Sequence, residues 1–165
     1  MGDEKQVQLK PEELKTFLDL KHNEFNIPDF IPPDPISIPH RYSRKEDIEI
    51  SGLLTAIISW GRRDLIIRGA GQLMDMMWNA PYDFVMQASE EELETLQNFV
   101  YRTFQGVDGY YIVKGLRKVY QEMGGLEEVM GMREEAENTL PAIMQLRGAV
   151  SSVEGFPQRT FKHLS

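Results

Sequence analysis

The sequence predicts an all-α fold, an orthogonal array of short and medium helices with little or no sheet. Apolar residues recur at helical spacing along most of the chain. Two Ser-x-x-Glu patterns stand where helices are expected to begin. No segment alternates polar and apolar residues for long enough to indicate a strand. The length of 165 residues suits one domain that builds a core of its own.

The chain divides into three expected regions. Residues 1–9 are polar and mixed in charge, so we expect a disordered leader there. Residues 10–154 are expected to form a single helical domain that contains a proline-rich arm at 27–42. Residues 155–165 have no clear period and are expected to form a tail.

A first helix is expected from Pro11 to about Asn26. Proline suits the first helical turn, and the two glutamates that follow it complement the helix dipole. One face of this helix carries apolar residues at helical spacing, namely Leu14, Phe17, Leu18 and Phe25.

The arm at 27–42 is rich in proline, which removes backbone donors and disfavours helix. It is also too apolar for a free linker, which would be rich in glycine and serine. We therefore expect an extended arm that lies across the domain with its apolar side chains tucked in. Its prolines are Pro28, Pro32, Pro33, Pro35 and Pro39, and its apolar residues include Ile27, Phe30, Ile31, Ile36 and Ile38.

The central helix is expected to follow a capping box, in which Ser43 and Glu46 each bond to the backbone N–H of the other. It is apolar nearly all round up to Trp60, which is typical of a buried helix. Gly61 is expected to end it. Further helices are expected at about 64–78, 81–87, 89–99, 108–123, 126–130 and 134–152. The second capping box, Ser89–Glu92, begins the helix at 89–99. Pro141 is expected to interrupt or kink the last helix.

Composition narrows the classes of function. The net charge of −8, from 26 acidic and 18 basic residues, argues against a broad basic surface for nucleic acid. The net charge does not exclude a local basic patch on an otherwise acidic surface. The absence of cysteine excludes disulfides and Cys-ligated metal centres and fits a cytoplasmic location. No apolar run is long enough to span a bilayer, so no membrane partner is expected.

Two groups of basic residues are candidate anion sites. Arg62, Arg63 and Arg68 stand where a helix begins, and the backbone N–H groups there also favour phosphate or a DNA backbone. The alternative is that they are solvated charges that offset the acidic helices nearby. The second group consists of His40, Arg41, Arg44 and Lys45, beside Tyr42.

For this second group we favour a simpler interpretation, in which His40 and Tyr42 pack the end of the arm onto the domain. The three histidines lack metal-ligand spacing. Most of the carboxylates fall in first helical turns or on polar faces, where capping and the helix dipole account for them. No metal, cofactor or catalytic residue is therefore predicted.

The run DPISIPHRYSRKEDIEISGLLTAIISWGRRD, from Asp34 to Asp64, resembles a bacterial family of uncharacterised conserved proteins best known from the Bacteroidetes. The resemblance continues through MMWNAPYDFV and YRTFQG and returns in GFPQRTFKHLS at the end. Members of that family continue into a part that resembles the catalytic half of helix-hairpin-helix DNA glycosylases. The resemblance implies that this chain is an N-terminal portion, whose tail leads toward a missing C-terminal half, and that it is not catalytic on its own.

The resemblance also implies a role for the turn after the central helix. The letters IISWGRRD, from Ile57 to Asp64, stand where the glycosylases have a pattern like I-L-S-x-Q-T-x-D. That turn supplies a side chain that wedges into the DNA stack. Carried over, the wedge position falls at Gly61 or Arg62, although the usual glutamine is absent.

The expected function is therefore the helical portion of a DNA-glycosylase-like repair protein that contributes DNA contacts. The alternative is a non-catalytic helical module that binds protein. In either case, apolar surface left on the domain is expected to be covered by the missing half or by a homodimer.

Overall fold

The computed structural model describes residues 10–131 and 139–164. Within these ranges the fold is helical apart from one two-stranded hairpin, which confirms the all-α prediction. In the hairpin, β1 (Val100–Tyr101) pairs antiparallel with β2 (Phe104–Gln105). The helices are α1 (Pro11–Phe25), α2 (Lys45–Ile58), α3 (Arg63–Met76), α4 (Pro81–Gln87), α5 (Glu90–Thr95), α6 (Gly106–Glu122), α7 (Leu126–Met130) and α8 (Leu140–Val150).

The arm crosses the domain as a series of short 3-10 turns, whereas extended chain was expected. The turns are Pro28–Phe30, Pro35–Ser37 and Pro39–Arg41, each of which begins with a proline whose fixed φ suits that position. Ile38 is fully buried and holds the arm to the domain, while Ile36 stays 46% exposed. The arm thus packs on α2 and α3, with Ile38 as its fully buried side chain.

The start of α2 corrects the predicted capping box. Arg44 is the N-cap residue, and no side chain caps the helix, so Ser43 does not fulfil the expected role. Glu46 and Asp47 instead place negative charge in the first turn. The carboxylate of Asp47 also accepts a hydrogen bond of 2.8 Å from the backbone N–H of Tyr82, which ties α2 to α4.

Only one face of α2 is buried, so the prediction that this helix is covered all round is wrong. Ile48, near its start, is 40% exposed, and Trp60, just beyond its end, is 36% exposed. The buried face contacts α3, α4 and the arm. Its residues are Ile50, Ser51, Leu54, Thr55 and Ile58.

The core lies among α2, α3, α4 and α6, where Phe84, Phe99 and Phe104 are fully buried. The guanidinium of Arg117 on α6 donates to the carbonyl of Val85 at 2.5 Å and to that of Ala88 at 2.7 Å. Carbonyls at the end of a helix lack intrahelical partners, so Arg117 caps α4. The capping box of Ser89 and Glu92 at the start of α5 is present as predicted.

The C-terminal part differs from the prediction at two points. Pro141 stands in the first turn of α8, where proline is well tolerated, and does not kink a longer helix. Residues Gln158–His163 form a 3-10 turn that is bonded to α6, so the expected tail packs on the domain.

The predicted leader at 1–9 and residues 134–138 of the predicted last helix lie outside the described residues. Among the described helices, none combines the length and hydropathy that a membrane crossing requires.

Candidate nucleic-acid interface

The turn between α2 and α3 lies against the β-hairpin. The ring of Trp60 meets the ring of Tyr101 edge-on, with 6.0 Å between the centroids. The hydroxyl of Tyr101 donates to the carbonyl of Trp60 at 3.3 Å. Gly61 follows with a φ of +111°, a conformation that side chains disfavour, so the turn depends on glycine at this position. The hairpin therefore fixes the turn and leaves part of the indole ring exposed.

Arg102, at the tip of the hairpin, covers this turn. Its guanidinium carbon lies 5.0 Å from the centroid of the Trp60 ring, a cation–π arrangement. A Cβ atom at Gly61 would lie 2.5 Å from Nη2 of Arg102, so the guanidinium occupies space that only glycine leaves open. Within the described part of the chain, Arg102 has no carboxylate partner.

The backbone of Arg102 is strained. Its φ is +55°, and it is the first residue of a two-residue hairpin loop, a position with positive φ for which glycine is the usual choice. A non-glycine residue in this conformation costs about 1–2 kcal/mol. Strain of this kind is concentrated at functional sites, which makes Arg102 a candidate that sequence reasoning missed.

The predicted arginines Arg62 and Arg63 each have an acidic neighbour. Arg62 donates twice to Asp64, from Nε at 3.1 Å and from Nη2 at 2.9 Å, and this hydrogen bonding lowers the pKa of Asp64. Nε of Arg63 lies 4.0 Å from Oδ2 of Asp34, and its guanidinium lies 5.7 Å from the ring centroid of Phe30. Exposed pairs of this kind are worth about 0–1 kcal/mol, so a phosphate can compete for both arginines.

Arg68 is not brought together with the other two. It is exposed on α3, five residues after Arg63, which corresponds to about 140° of rotation around the helix axis. The three arginines therefore do not form one surface, and any DNA contact at Arg68 would come from a different side of α3.

The C-terminal segment brings two more cations to the turn. Nη2 of Arg159 donates to the carbonyl of Thr103 at the hairpin tip at 3.2 Å. Lys162, Thr103 and Trp60 line one shallow cavity of about 400 Å³. Three separate segments thus form one basic surface around an exposed aromatic ring. We name it the Trp60 surface, and it consists of Trp60, Arg62, Arg102, Arg159 and Lys162.

The second predicted anion group is dispersed. Arg44 donates to Asp83 at 2.9 Å and to Glu46 at 3.2 Å, and its guanidinium carbon lies 4.1 Å from the ring centroid of Tyr82. Lys45 contacts the carboxylate of Glu127. These cations are therefore engaged with acidic residues of α2, α4 and α7 and do not converge on one anion position.

Tyr42 packs against the core, which agrees with the packing interpretation of this residue, whereas His40 and Arg41 stay exposed. Burial raises the pKa of the Tyr42 phenol. Its hydroxyl has no hydrogen-bond partner among the described residues. The structure does bring His40 and Arg63 to one cavity of about 830 Å³ between the arm and α2.

Asp108, at the start of α6, is a fully buried carboxylate that sequence reasoning did not single out. It accepts hydrogen bonds from the backbone N–H of Gln105 at 2.8 Å, from Oγ1 of Thr160 at 2.7 Å and from Nη2 of Arg159 at 3.1 Å. Nε2 of His163 lies 3.4 Å from Oδ2 of Asp108 without the alignment of a hydrogen bond. Burial lowers the pKa of His163, and the Asp108 charge opposes that shift.

This cluster holds the C-terminal segment to α6, because Arg159 and Thr160 donate to a carboxylate that belongs to α6. The position of Asp108 three residues after Gln105 gives a local signal for helix capping. Its C-terminal donors give no such signal, since they lie about fifty residues further along the chain. Within the described ranges there is no group of three or more side chains placed to hold a metal ion.

A family model described as a protein of unknown function (DUF2400) matches residues 34–165. The chain belongs to this family. This confirms the resemblance to a family of uncharacterised conserved proteins. The matched region contains every residue of the Trp60 surface, whereas α1 lies before it. Searches among curated proteins and among solved structures each gave no match.

Proposed function

We propose that this chain is the helical portion of a DNA-glycosylase-like repair protein and contributes DNA contacts through the Trp60 surface. The observation that carries the proposal is the position of the Arg102 guanidinium over the exposed ring of Trp60. Aromatic rings stack on unpaired bases, and arginine binds phosphate. An aromatic ring within a group of cations is typical of surfaces that hold opened or single-stranded DNA.

The distribution of charge supports a contact confined to this surface. A net charge of −8 makes most of the body unfavourable for DNA. Arg102 offers a guanidinium without a carboxylate partner in the described residues, and Arg62 gives up only an exposed pair with Asp64. The expected affinity is therefore weak and falls as salt rises, because few phosphates are neutralised.

The geometry also refines the expected wedge position. Gly61 has no side chain, and the guanidinium of Arg102 lies directly against it. In this proposal the hairpin, through Arg102, supplies the cation at the wedge position. Two hydrogen bonds turn Arg62 toward Asp64. The partly exposed ring of Trp60 is therefore the side chain at this turn that we propose to contact a base.

The test is a titration of a fluorescently labelled abasic or mismatched duplex, followed by anisotropy at low and at increasing salt. We expect weak binding by the whole chain that weakens with salt and falls at least several-fold when Arg62→Ala and Arg102→Gly are combined. Arg68→Ala is the matched control, because it removes an exposed arginine from another side of α3. No binding by the unaltered chain at low salt would reject the proposal, and equal loss with Arg68→Ala would reject the Trp60 surface.

The competing function is a non-catalytic module that binds protein. The specific observation in its favour is the apolar face of α1, where Phe17 is 50% exposed and Leu18 is 54% exposed. This function predicts a stable complex without salt-dependent affinity for DNA. The two functions are separable, because α1 contributes no residue to the Trp60 surface.

A further inference from the structure

The first helix does not pack on its own domain. No residue of α1 is buried, although one side of the helix is apolar. Its C-terminal end is anchored where the ring of Phe25 meets the ring of Phe30, with 5.9 Å between centroids. A helix of this length is marginal in water unless a tertiary contact stabilises it. The exposed apolar residues of this face are Leu14, Phe17, Leu18 and Phe25, which are between 44% and 54% exposed.

A groove of matching character lies along the uncovered face of α2. The small residues Gly52 and Ala56 of α2 are among those that line it. Its volume is about 610 Å³. A helix that is apolar all round is expected to be covered on both faces, and this face of α2 is not. We name it the α2–α8 groove, and its apolar walls are Ile48, Leu53, Ile57, Leu126, Met130, Ile143 and Leu146.

Exposed apolar surface is most abundant around α1 and on α2 and α8, where Ile48 and Ile143 line the groove. Of the fourteen large apolar side chains that are exposed in the described residues, six lie between Leu14 and Ile27, and four lie on α2 or α8. Contiguous apolar patches of this kind mark interaction sites, whereas single exposed apolar residues are ordinary. The four on α2 or α8 are Ile48, Leu140, Ile143 and Met144.

We propose that α1 of one molecule lies in the α2–α8 groove of a second copy of this chain, and that the exchange is reciprocal. The apolar face of an amphipathic helix laid in an apolar groove is a common mode of recognition. A reciprocal exchange has two-fold symmetry and closes after two copies. In this structure α1 does not enter the groove of its own chain, and the contact of Phe25 with Phe30 fixes its end at the arm.

The area available is sufficient for a stable dimer. The four half-exposed side chains of this face and the groove that they cover amount to roughly 700 Å² per contact, since a fully buried aromatic ring alone covers about 150–250 Å². Two such contacts bury roughly 1,400 Å² in total, which lies within the standard range for specific interfaces. No residue of the Trp60 surface belongs to the α1 face or lines the α2–α8 groove, although the groove and the cavity beside Trp60 share Ala56, Ile57 and His163.

The first test is the mass of the whole chain in solution, measured by light scattering and sedimentation over a wide range of concentration. We expect a dimer for the unaltered chain and a monomer for Phe17→Asp and for Ile143→Asp, one on each side of the proposed contact. Asn23→Asp is the matched control, because it adds the same charge to α1 about 180° away from Leu14 and should leave the dimer intact. Circular dichroism confirms that the variants stay helical.

A second test locates the helix. The chain has no cysteine, so single cysteines can report a contact between two molecules. We expect Leu18→Cys protein mixed with Ile143→Cys protein to form a mixed disulfide on mild oxidation. A monomer at every concentration overturns the proposal. So does a disulfide confined to one molecule when both substitutions are placed on one chain, because α1 would then close on its own groove.

Discussion

The guanidinium of Arg102 lies 5.0 Å from the centroid of the Trp60 ring, and Arg102 holds this position with a φ of +55°. The hairpin thereby places a residue with a strained backbone over the turn that ends α2. A glycine at position 102 would relieve the strain but remove the cation. Arginine at position 102 is therefore unfavourable for the hairpin alone, which supports a role in binding.

The first prediction separates that strain from binding. Arg102→Ala keeps the unfavourable backbone conformation, whereas Arg102→Gly removes it, and both lose the contact with Trp60. We expect the glycine variant to be more stable to urea than the alanine variant by about 1 kcal/mol. Equal stabilities, or a more stable alanine variant, would show that the backbone at residue 102 is not strained.

Binding should not follow stability in these two variants. Both lack the guanidinium, so both should bind duplex DNA equally weakly if Arg102 contacts phosphate. A glycine variant that binds as well as the unaltered chain would remove Arg102 from the proposed interface.

Periodicity and helix-start signals predicted the helices well, because both depend on residues close in sequence. Pro81–Gln87 and Leu126–Met130 have the expected bounds. The box at Ser89 formed, but the one at Ser43 did not, because the helix begins one residue later than a Ser43 cap requires, with Arg44 as its N-cap. A capping motif gives only a local preference, which tertiary contacts can override.

The Trp60 surface was only partly predictable. Arg62 stood out because it is beside Arg63 in the sequence, whereas Arg102 and Arg159 come from distant segments that only the tertiary fold brings together. Trp60 was predicted to belong to the core because it ends an apolar run. It stays 36% exposed because Tyr101 and Arg102 of the hairpin cover only part of its ring.

The second prediction concerns the packing of α6 on α8. A Cβ atom at Gly115 would overlap the carbonyl oxygen of Val150, a backbone atom that cannot move aside as a flexible side chain can. We expect Gly115→Ala to reduce the free energy of unfolding by about 1–3 kcal/mol. Urea denaturation measures this loss, and hydrogen exchange should show α8 opening first.

Gly148→Ala is the matched control for this prediction. Gly148 is on α8, and a Cβ atom there would meet nothing within 4 Å. Alanine is a better helix former than glycine, so this variant should gain about 0.5–1 kcal/mol. If both variants were equally stable, the close contact of α6 with α8 would be wrong.

The third prediction concerns the attachment of the C-terminal segment. Asp108→Ala leaves the hydroxyl of Thr160 without its acceptor and removes the cap on the backbone N–H of Gln105. We expect a loss of about 2–4 kcal/mol, since buried donors are left unpaired. Thr160→Val removes one of these bonds and should cost about 1 kcal/mol.

Hydrogen exchange gives the local measurement for this attachment. Residues 158–164 should exchange faster in Asp108→Ala than in the unaltered chain, while the core helices keep most of their protection. Unchanged exchange in this segment would show that Asp108 does not hold it.

The last prediction concerns the dependence of stability on pH. Burial lowers the pKa of His163 below its ordinary value of 6.5, and the neighbouring charge of Asp108 only partly opposes this. The unfolded chain therefore takes up a proton at a higher pH than the folded chain does. The unfolded state binds more protons in that interval, so the free energy of unfolding rises with pH there. The contribution of His163 is fully present above about pH 6.5 and is lost as the pH falls toward its folded pKa.

Urea denaturation between about pH 7 and pH 5, the interval in which histidine titrates, measures this effect. We expect the unaltered chain to lose stability on acidification more steeply than His163→Gln, which cannot titrate at this position. A slope that is equal in both proteins would show that His163 titrates alike in the folded and unfolded chains. A gain in stability on acidification that His163→Gln abolishes would show that attraction by Asp108 outweighs burial.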